Sequence, residues 1–324
     1  MKNLIGIIAG DPESINSEII AKAWKKKSQF ANINIFIIGN FKLINQQLKS
    51  LGFSIKTKKI NDIEKKNFKK NLLIYDIPLK FVKPFKIPKA EKSKYVLKSF
   101  DLAVALAKKK EISGLINCPI NKKDIFRNKN IGITEFLSNK LGTFKKEVML
   151  IYNKTLSVSP ITTHIKIRKV HSKITKKRII SNVITINNFL FKKLCRKPKI
   201  GILGLNPHND ELRKDSEEKK IIVPAINYLK KRKLHIDGPL SPDTAFLNYK
   251  KDRFNVIVGM YHDQVLSPYK SIFKFNAINV TLGLPFLRVS PDHGTGRNII
   301  RRNIANPKSL IEAIKFFKRS NVKT

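Results

Sequence analysis

MYHDQVLSPYK at residues 260–270 opens the most informative stretch of the chain, which continues as INVTLGLPFLR at residues 278–288 and SPDHGTGR at residues 290–297. Two apolar runs, at residues 254–258 and 277–284, have the length and β-branched content of buried strands. The polar groups of the stretch are therefore expected at strand ends and in the loops that follow. Ligands of α/β proteins bind in that position.

The same alternation of strand and helix patterns extends outward through the rest of the chain. Strands are predicted at residues 4–8, 33–38, 72–75, 114–117, 147–152, 156–159, 199–205 and 255–259, and helices at 16–26, 41–51, 93–110, 132–137, 174–195, 217–230 and 311–318. Residues 78–89 and 238–243, which contain prolines, are predicted as a connector and a loop. Strands that alternate with helices imply an α/β fold with a largely parallel sheet.

Composition indicates a folded globular protein with a strong positive charge. The 324 residues are 42% hydrophobic and 9% aromatic, and the formal net charge is +43. Lysines occur in pairs and triplets along the whole chain, as at residues 25–27, 108–110 and 230–231. Such a spread is typical of solvated faces rather than of a nucleic-acid platform, although the positive field would favour an anionic small substrate.

Cysteine content and hydropathy favour a cytoplasmic protein without a membrane segment. Cys118 and Cys195 are the only cysteines, and their separation indicates neither a disulfide framework nor a thiolate metal site. The apolar run near the N-terminus is too short for a signal sequence, and Asp11 and Glu13 follow it at once. No stretch approaches the roughly 20 apolar residues of a transmembrane helix.

Three of the six histidines stand just after predicted strands, and this shared position suggests a metal site. They are His164, His208 and His262, separated by 44 (208 minus 164) and 54 (262 minus 208) residues. These separations exclude a His-x-x-x-His helix but suit three loops at one edge of a sheet. Three neutral imidazoles would leave open positions on a divalent cation, as in catalytic sites. The alternative is that each histidine is a separate loop residue.

Several charged and polar residues near these histidines are candidates for catalysis or substrate binding. Asp243 and Asp263 could orient the metal ligands or carry protons. Lys270, Asn279 and Arg288 could bind an anionic substrate, since arginine suits bidentate contact. Asp243 could instead begin a turn or helix, and Lys270 could be one more surface lysine. No Gly-x-Gly-x-x-Gly fingerprint or phosphate-binding loop is present, so a nucleotide would bind in another way.

Taken together, these motifs resemble the 4-hydroxythreonine-4-phosphate dehydrogenase (PdxA) family. The matching segments keep the order of the family and span nearly the whole chain. They are GDP at residues 10–12, PINK at 119–122, TEF at 134–136, TTH at 162–164, GLNPH at 204–208, GPL at 238–240 with DT at 243–244, YHDQ at 261–264, NVTLGLPF at 279–286 and DHGT at 292–295.

The resemblance implies an isocitrate/isopropylmalate dehydrogenase-like fold, in which residues 1–324 form one catalytic unit of two α/β lobes with a cleft between them. It implies a homodimer whose metal site is completed by both subunits, with His164, His208 and His262 as ligands of zinc, magnesium, manganese or cobalt. Thr134, Lys270, Asn279 and Arg288 match the substrate contacts of the family.

The reaction implied by the resemblance is an oxidation by NAD or NADP followed by loss of CO2. The substrate is 4-phosphooxy-L-threonine, and the product, 3-amino-2-oxopropyl phosphate, serves pyridoxal 5'-phosphate biosynthesis. A cation on the alcohol oxygen lowers its pKa and stabilises the negative charge that decarboxylation leaves. The carboxylate that relays the proton, Asp243 or Asp263, is left open, and no residue is assigned to the cofactor.

The chain departs from the family pattern at two places. The family normally has a substrate-contacting histidine before the TEF motif, where this chain has Ile133. The first loop normally reads Gly-Asp/Glu-Pro-Ala-Gly-Ile-Gly-Pro, whereas residues 10–17 read GDPESINS and so lose two glycines. Alternatives that remain open are a paralogous dehydrogenase of 4-phospho-threonate or 4-phospho-erythronate, a three-histidine metallohydrolase, and a nucleic-acid-binding protein.

Overall fold

The computed structural model describes residues 4–64, 66–126, 132–143, 147–194, 196–274 and 276–318. Cys195, at the predicted end of a helix, lies outside these residues. The described chain divides into two compact units. The first contains residues 4–137 and 284–318, and the second contains residues 138–283.

Strands and helices alternate through most of the described residues. The strands are β1 (Leu4–Ile8), β2 (Asn34–Gly39), β3 (Thr57–Ile60), β4 (Leu72–Asp76), β5 (Gly114–Asn117), β6 (Val148–Tyr152), β7 (Ser157–Thr162), β8 (Ile200–Leu203), β9 (Ile236–Leu240), β10 (Val256–Tyr261), β11 (Ile278–Leu282) and β12 (Leu287–Pro291). The α-helices are α1 (Asn16–Lys25), α2 (Phe41–Ser50), α3 (Lys89–Lys108), α4 (Lys122–Phe126), α5 (Ile133–Leu141), α6 (Lys176–Leu194), α7 (Val223–Lys231), α8 (Pro242–Asn248), α9 (His262–Phe273) and α10 (Lys308–Lys318). The predicted α/β class is confirmed.

The first unit is built on a parallel arrangement of strands in the order β3-β4-β2-β1-β5-β12. Every residue of β1 and β5 is buried. Continuous apolar strands of this kind are typical of parallel sheets that are covered on both faces. The loops after β1, β5 and β12 consequently leave the same edge of the sheet.

In the second unit the order is β11-β6-β7-β10-β8-β9. Strand β6 runs antiparallel to β7 and β11. The other four, β7, β10, β8 and β9, are neighbours and run parallel. Val158 and Ile257 from these strands pack with Val265 and Tyr269 of α9 in one apolar cluster. Four parallel strands therefore present their carboxyl ends at one edge of this unit.

The structure corrects several local predictions. Residues 238–243 were expected to form a loop, but β9 ends at Leu240 and α8 begins at Pro242. Pro239 is tolerated in β9 because this strand lies at the edge of the sheet. Strands β3 and β12 and helices α4 and α9 have no counterpart among the predicted elements. Thr134 lies inside the first turn of α5. The helix predicted at residues 217–230 is instead a π-helical segment, Glu218–Ile222, that leads into α7, with Pro224 in the first turn of α7.

Among the described residues, none of the helices combines the length and the apolar character that a membrane span requires.

Candidate active site

The three predicted metal-binding histidines follow three neighbouring parallel strands. His164 comes two residues after β7, His262 directly after β10, and His208 five residues after β8. Asp243 follows β9, which pairs with β8. Because the carboxyl ends of parallel strands meet at one edge, the strand order β7-β10-β8-β9 brings all four side chains to the same edge of the second unit. The meeting of all three histidines at one cation stays a prediction.

His164 and His262 are direct neighbours. Their ring centroids lie 5.7 Å apart with an interplanar angle of 41°. The hydroxyl of Thr162, the last residue of β7, donates a hydrogen bond of 2.7 Å to the carbonyl of Met260 in β10. This buried bond fixes the two strand ends against each other, so both imidazoles can face one ligand.

Asp263 orients the ring of His262. Its Oδ1 atom lies 2.7 Å from Nδ1 of the imidazole. A carboxylate accepts this hydrogen bond, so Nδ1 carries the proton and the lone pair of Nε2 is left for a ligand. Asp263 itself is mostly exposed. The arrangement matches the carboxylate–histidine pairs that fix metal ligands, which is one of the two roles the sequence left open for Asp263.

His208 lies on a strained loop beside Asp243. The backbone of residues 208–211 is left-handed throughout, with φ between 46° and 57°. The pKa of Asp243 is lowered mainly by the nearby hydroxyl of Ser241, although their contact does not meet the criteria of a hydrogen bond. Adjacent backbone N–H groups and His208 lower this pKa further. Asp243 is therefore an ionised carboxylate close to the third histidine.

The donor set has the chemistry of a divalent-cation site, but the described part of one chain does not close it. Three imidazoles with carboxylates nearby and no thiolate are typical of open, catalytic sites. Within the residues that the structure describes, no group of three or more His, Cys, Asp or Glu side chains surrounds a single metal position. The structure thus joins His164 to His262 and sets His208 at the same edge.

In the first unit, Arg288 is a buried cation directed at Thr134. It lies in β12 and is 2% exposed. Its Nε donates to Oδ1 of Asn117 at 2.7 Å, and its Nη1 donates to the hydroxyl of Thr134 at 3.5 Å. Burial lowers the pKa of Arg288 to about 10, against the opposing charge of Glu135. Arg288 therefore stays protonated at neutral pH but has lost most of its hydration, as suits a residue that binds an anion.

Lys270 lies on a helix and not in a loop, whereas Asn279 lies in the strand predicted at residues 277–284. Lys270 is exposed on α9, the helix that begins with His262. Asn279 lies inside β11, paired with Ile151 of β6. Its Oδ1 atom is buried and accepts no hydrogen bond from the described residues. An acceptor of this kind suits a donor group on a ligand.

The loop after β1 is filled by side chains of the protein itself. Asp11 is almost fully buried and accepts hydrogen bonds from the backbone N–H groups of Glu13 and Asn121. Burial raises the pKa of Asp11. Glu13 in turn binds Lys92 at 2.6 Å and the backbone N–H of Ile87 at 2.6 Å. With two carboxylates just before α1, this loop does not favour an additional anion.

Two polar residues that bind candidate site residues or the strands beside them were not predicted from the sequence. Asn117 ends β5 and accepts the Nε hydrogen bond of Arg288. Gln264 is buried between two strands: its Nε2 donates to the carbonyl of Gly204, and its Oε1 accepts from the backbone N–H of Met260. Their positions directly after apolar runs were visible in the sequence, but the partners depend on the strand order. His171 and His235 are exposed, as predicted.

Comparison with known proteins gives a consistent result. A family model described as pyridoxal phosphate biosynthetic protein PdxA matches residues 31–317. A 4-hydroxythreonine-4-phosphate dehydrogenase from Sulfurihydrogenibium sp. is 41% identical over 317 residues, which cover 96% of each chain. A D-threonate 4-phosphate dehydrogenase from Cupriavidus necator is 31% identical over 319 residues, with 96% of this chain and 95% of the relative covered.

A solved structure agrees with these relatives. A putative 4-hydroxythreonine-4-phosphate dehydrogenase from Salmonella typhimurium superposes with a TM-score of 0.83 at 27% identity and covers 98% of this chain and 99% of its own. The predictions of the family and of an oxidoreductase are confirmed. The chain belongs to the PdxA family of pyridoxal phosphate biosynthetic proteins.

Proposed function

We propose that the chain oxidises 4-phosphooxy-L-threonine with NAD or NADP and a divalent metal, and that decarboxylation then gives 3-amino-2-oxopropyl phosphate. The observation that supports this proposal most strongly is the arrival of His164, His262, His208 and Asp243 at one edge of four adjacent parallel strands. The names of the relatives support the substrate, and the family supports a place in pyridoxal phosphate biosynthesis.

His164, His208 and His262 would hold the metal, which is zinc, magnesium, manganese or cobalt. When bound, the metal would lower the pKa of the substrate hydroxyl and stabilise negative charge on its oxygen, while the nicotinamide would accept the hydride. Asp263 keeps the Nε2 lone pair of His262 available by accepting the Nδ1 proton. Asp243 is the better candidate to accept the hydroxyl proton, because Asp263 is already engaged by the ring of His262.

Substrate binding would use the cations and polar side chains that match the substrate contacts of the family. Arg288 and Thr134 would hold one anionic group, because the guanidinium is already desolvated and fixed by Asn117. Lys270 would contribute a second positive charge. Asn279 would accept a hydrogen bond from a donor on the substrate through its buried Oδ1 atom.

A second copy of the chain would complete the metal site. Exposed apolar side chains follow the histidines at the same edge: Ile167 is 68% exposed three residues after His164, and Leu212 is 42% exposed four residues after His208. Apolar groups beside a polar site are typical of surfaces covered by a partner. Since the described residues of one chain do not surround a metal position, a homodimer accounts for both features.

The proposal is tested with purified full-length protein, 4-phosphooxy-L-threonine, NAD+ or NADP+, and each candidate metal. We expect metal-dependent formation of NADH or NADPH and release of CO2. The variant His208→Ala should lose both metal and activity but keep the circular dichroism spectrum of the wild type. Full activity in this variant would exclude His208 as a ligand.

A second candidate is a D-threonate 4-phosphate dehydrogenase, and Ile133 favours it. This residue is 9% exposed at the start of α5, next to Thr134, and its side chain can neither donate a hydrogen bond nor carry charge. The relative from Cupriavidus necator bears that name. Turnover of D-threonate 4-phosphate, with none of 4-phosphooxy-L-threonine, would decide for the second candidate. Product formation without nicotinamide would instead favour the metallohydrolase, which the dehydrogenase relatives argue against.

A further inference from the structure

Glu218 is a fully buried carboxylate that binds the loop carrying His208. It is 0% exposed at the start of the π-helical segment that precedes α7. Its Oε1 accepts hydrogen bonds from the backbone N–H groups of Leu205 at 2.7 Å and Asn206 at 2.8 Å. Its Oε2 accepts from Nδ2 of Asn206 at 3.0 Å. Three donors from two successive residues thus converge on one side chain.

The segment that Glu218 binds leads directly into strained backbone. Asn206 and Pro207 precede His208, where the left-handed turn begins. A left-handed backbone is unfavourable for each non-glycine residue, so such a turn persists only when its surroundings fix it. The hydrogen bonds to Glu218 fix the entry to the turn, just before the candidate ligand.

Close packing at Gly204 limits the freedom of this loop further. A Cβ atom at Gly204 would collide with Oδ1 of Asn209 and would lie 3.0 Å from Oε1 of Glu218. The carbonyl of Gly204 also accepts the 2.7 Å hydrogen bond from Gln264, two residues after His262. Glu218 and Gln264 therefore bind successive residues, 204 to 206, of the segment that ends at His208.

We propose that Glu218 is a positioning residue, which holds residues 205–206 so that the imidazole of His208 faces the metal position beside His164 and His262. The inference rests on the proposed function, because it takes His208 as a metal ligand. Glu218 touches neither substrate nor metal and acts only through the loop. Loss of an outer carboxylate that orients a metal ligand typically lowers metal affinity about 10- to 100-fold.

Three variants of the full-length protein separate positioning from plain stability. Glu218→Ala removes all three acceptor contacts. Glu218→Gln keeps one oxygen for the two backbone N–H groups and loses the charge. Glu217→Gln is the matched control, since this neighbour is only partly buried and makes a single contact of 3.0 Å with Asn206. Each is measured by Zn2+ titration calorimetry of the metal-free protein and by hydrogen exchange of the Leu205 and Asn206 amides.

The expected dissociation constant for Zn2+ rises about 10- to 100-fold in Glu218→Ala, less in Glu218→Gln, and under twofold in Glu217→Gln. The Leu205 and Asn206 amides should exchange faster in the same order. If Glu218→Ala does not fold, Glu218→Gln carries the test through the same two measurements. Wild-type Zn2+ affinity in a folded Glu218 variant, even one with a lowered unfolding temperature, would overturn the positioning role.

His208→Ala, titrated alongside, keeps the two proposals distinguishable. If it binds Zn2+ as tightly as the wild type, His208 is not a ligand, and both the proposed metal set and the role of Glu218 fail. If His208→Ala loses Zn2+ while the Glu218 variants keep it, only the positioning role is overturned.

Discussion

Replacement of Arg288 by methionine should remove activity with little change in stability. At about 1.4 kcal/mol per pKa unit, a pKa lowered to about 10 corresponds to roughly 3 kcal/mol of lost hydration for the charged guanidinium. The hydrogen bond to Asn117 returns about 1.5–3 kcal/mol of this, because its donor is charged. Methionine fills similar apolar space without the charge. The free energy of unfolding should therefore change by less than about 2 kcal/mol.

Activity should respond very differently. Two charge-assisted hydrogen bonds to an anionic substrate, at about 1.5–3 kcal/mol each, predict a loss in kcat/KM of about 100-fold or more. Arg288→Lys keeps the charge but not the forked geometry, so an intermediate loss is expected. Urea unfolding and steady-state kinetics measure the two effects.

The opposite pattern would refute this role of Arg288. A buried ion pair that serves only stability loses about 3–5 kcal/mol when one partner is removed. If Arg288→Met is destabilised by that amount while kcat/KM stays within threefold of the wild type, Arg288 is a structural residue and does not bind substrate.

Three further predictions concern specificity, pH dependence and assembly. Ile133→His should raise kcat/KM for 4-phosphooxy-L-threonine relative to D-threonate 4-phosphate, since it restores a polar group beside Thr134. An unchanged ratio of the two kcat/KM values would show that Ile133 does not determine substrate specificity. The folded-state pKa of Asp11 is raised by burial, so the folded protein binds this proton more tightly than the unfolded chain and stability should fall as pH rises above about 4. Asp11→Asn should lack that decline in urea unfolding between pH 4 and 7, and an identical slope in both proteins would contradict it. Ile167→Glu should yield monomers in light scattering and lose activity. The control Val82→Glu, at a 90% exposed site of the first unit, should keep the wild-type mass. If both variants have the wild-type mass, Ile167 does not lie in the subunit interface.

Much of the fold was predictable because its strands are continuous apolar runs. Strand β1 matches its prediction residue for residue, and β2, β4 and β5 match within one residue at each end. The missed elements are those whose local signals point elsewhere. Gly238-Pro239 reads as a turn, yet the pair lies in an edge strand. Helix α9 contains Pro268 and begins without a linker directly after β10, so its polar residues were assigned to a loop.

The candidate site was likewise only partly predictable from the sequence. The position of each histidine after a strand was readable from the sequence, but their proximity depends on β10 lying between β7 and β8, which no local pattern specifies. The contacts of Glu218 were equally hidden, because this residue stands in a charged run, DSEEKK at residues 215–220, that resembles an exposed surface. Burial and partners for such a side chain follow from tertiary packing alone.

The proposed function depends on one divalent cation bound by imidazoles from three loops. A crystal of the full-length protein soaked with Zn2+, with anomalous diffraction recorded at the zinc edge, tests this most directly. We expect a single strong peak about 2.0–2.1 Å from nitrogen atoms of His164, His208 and His262, counting those contributed by a second copy. A peak bound to other residues, or none while the three histidines are ordered, would contradict the account.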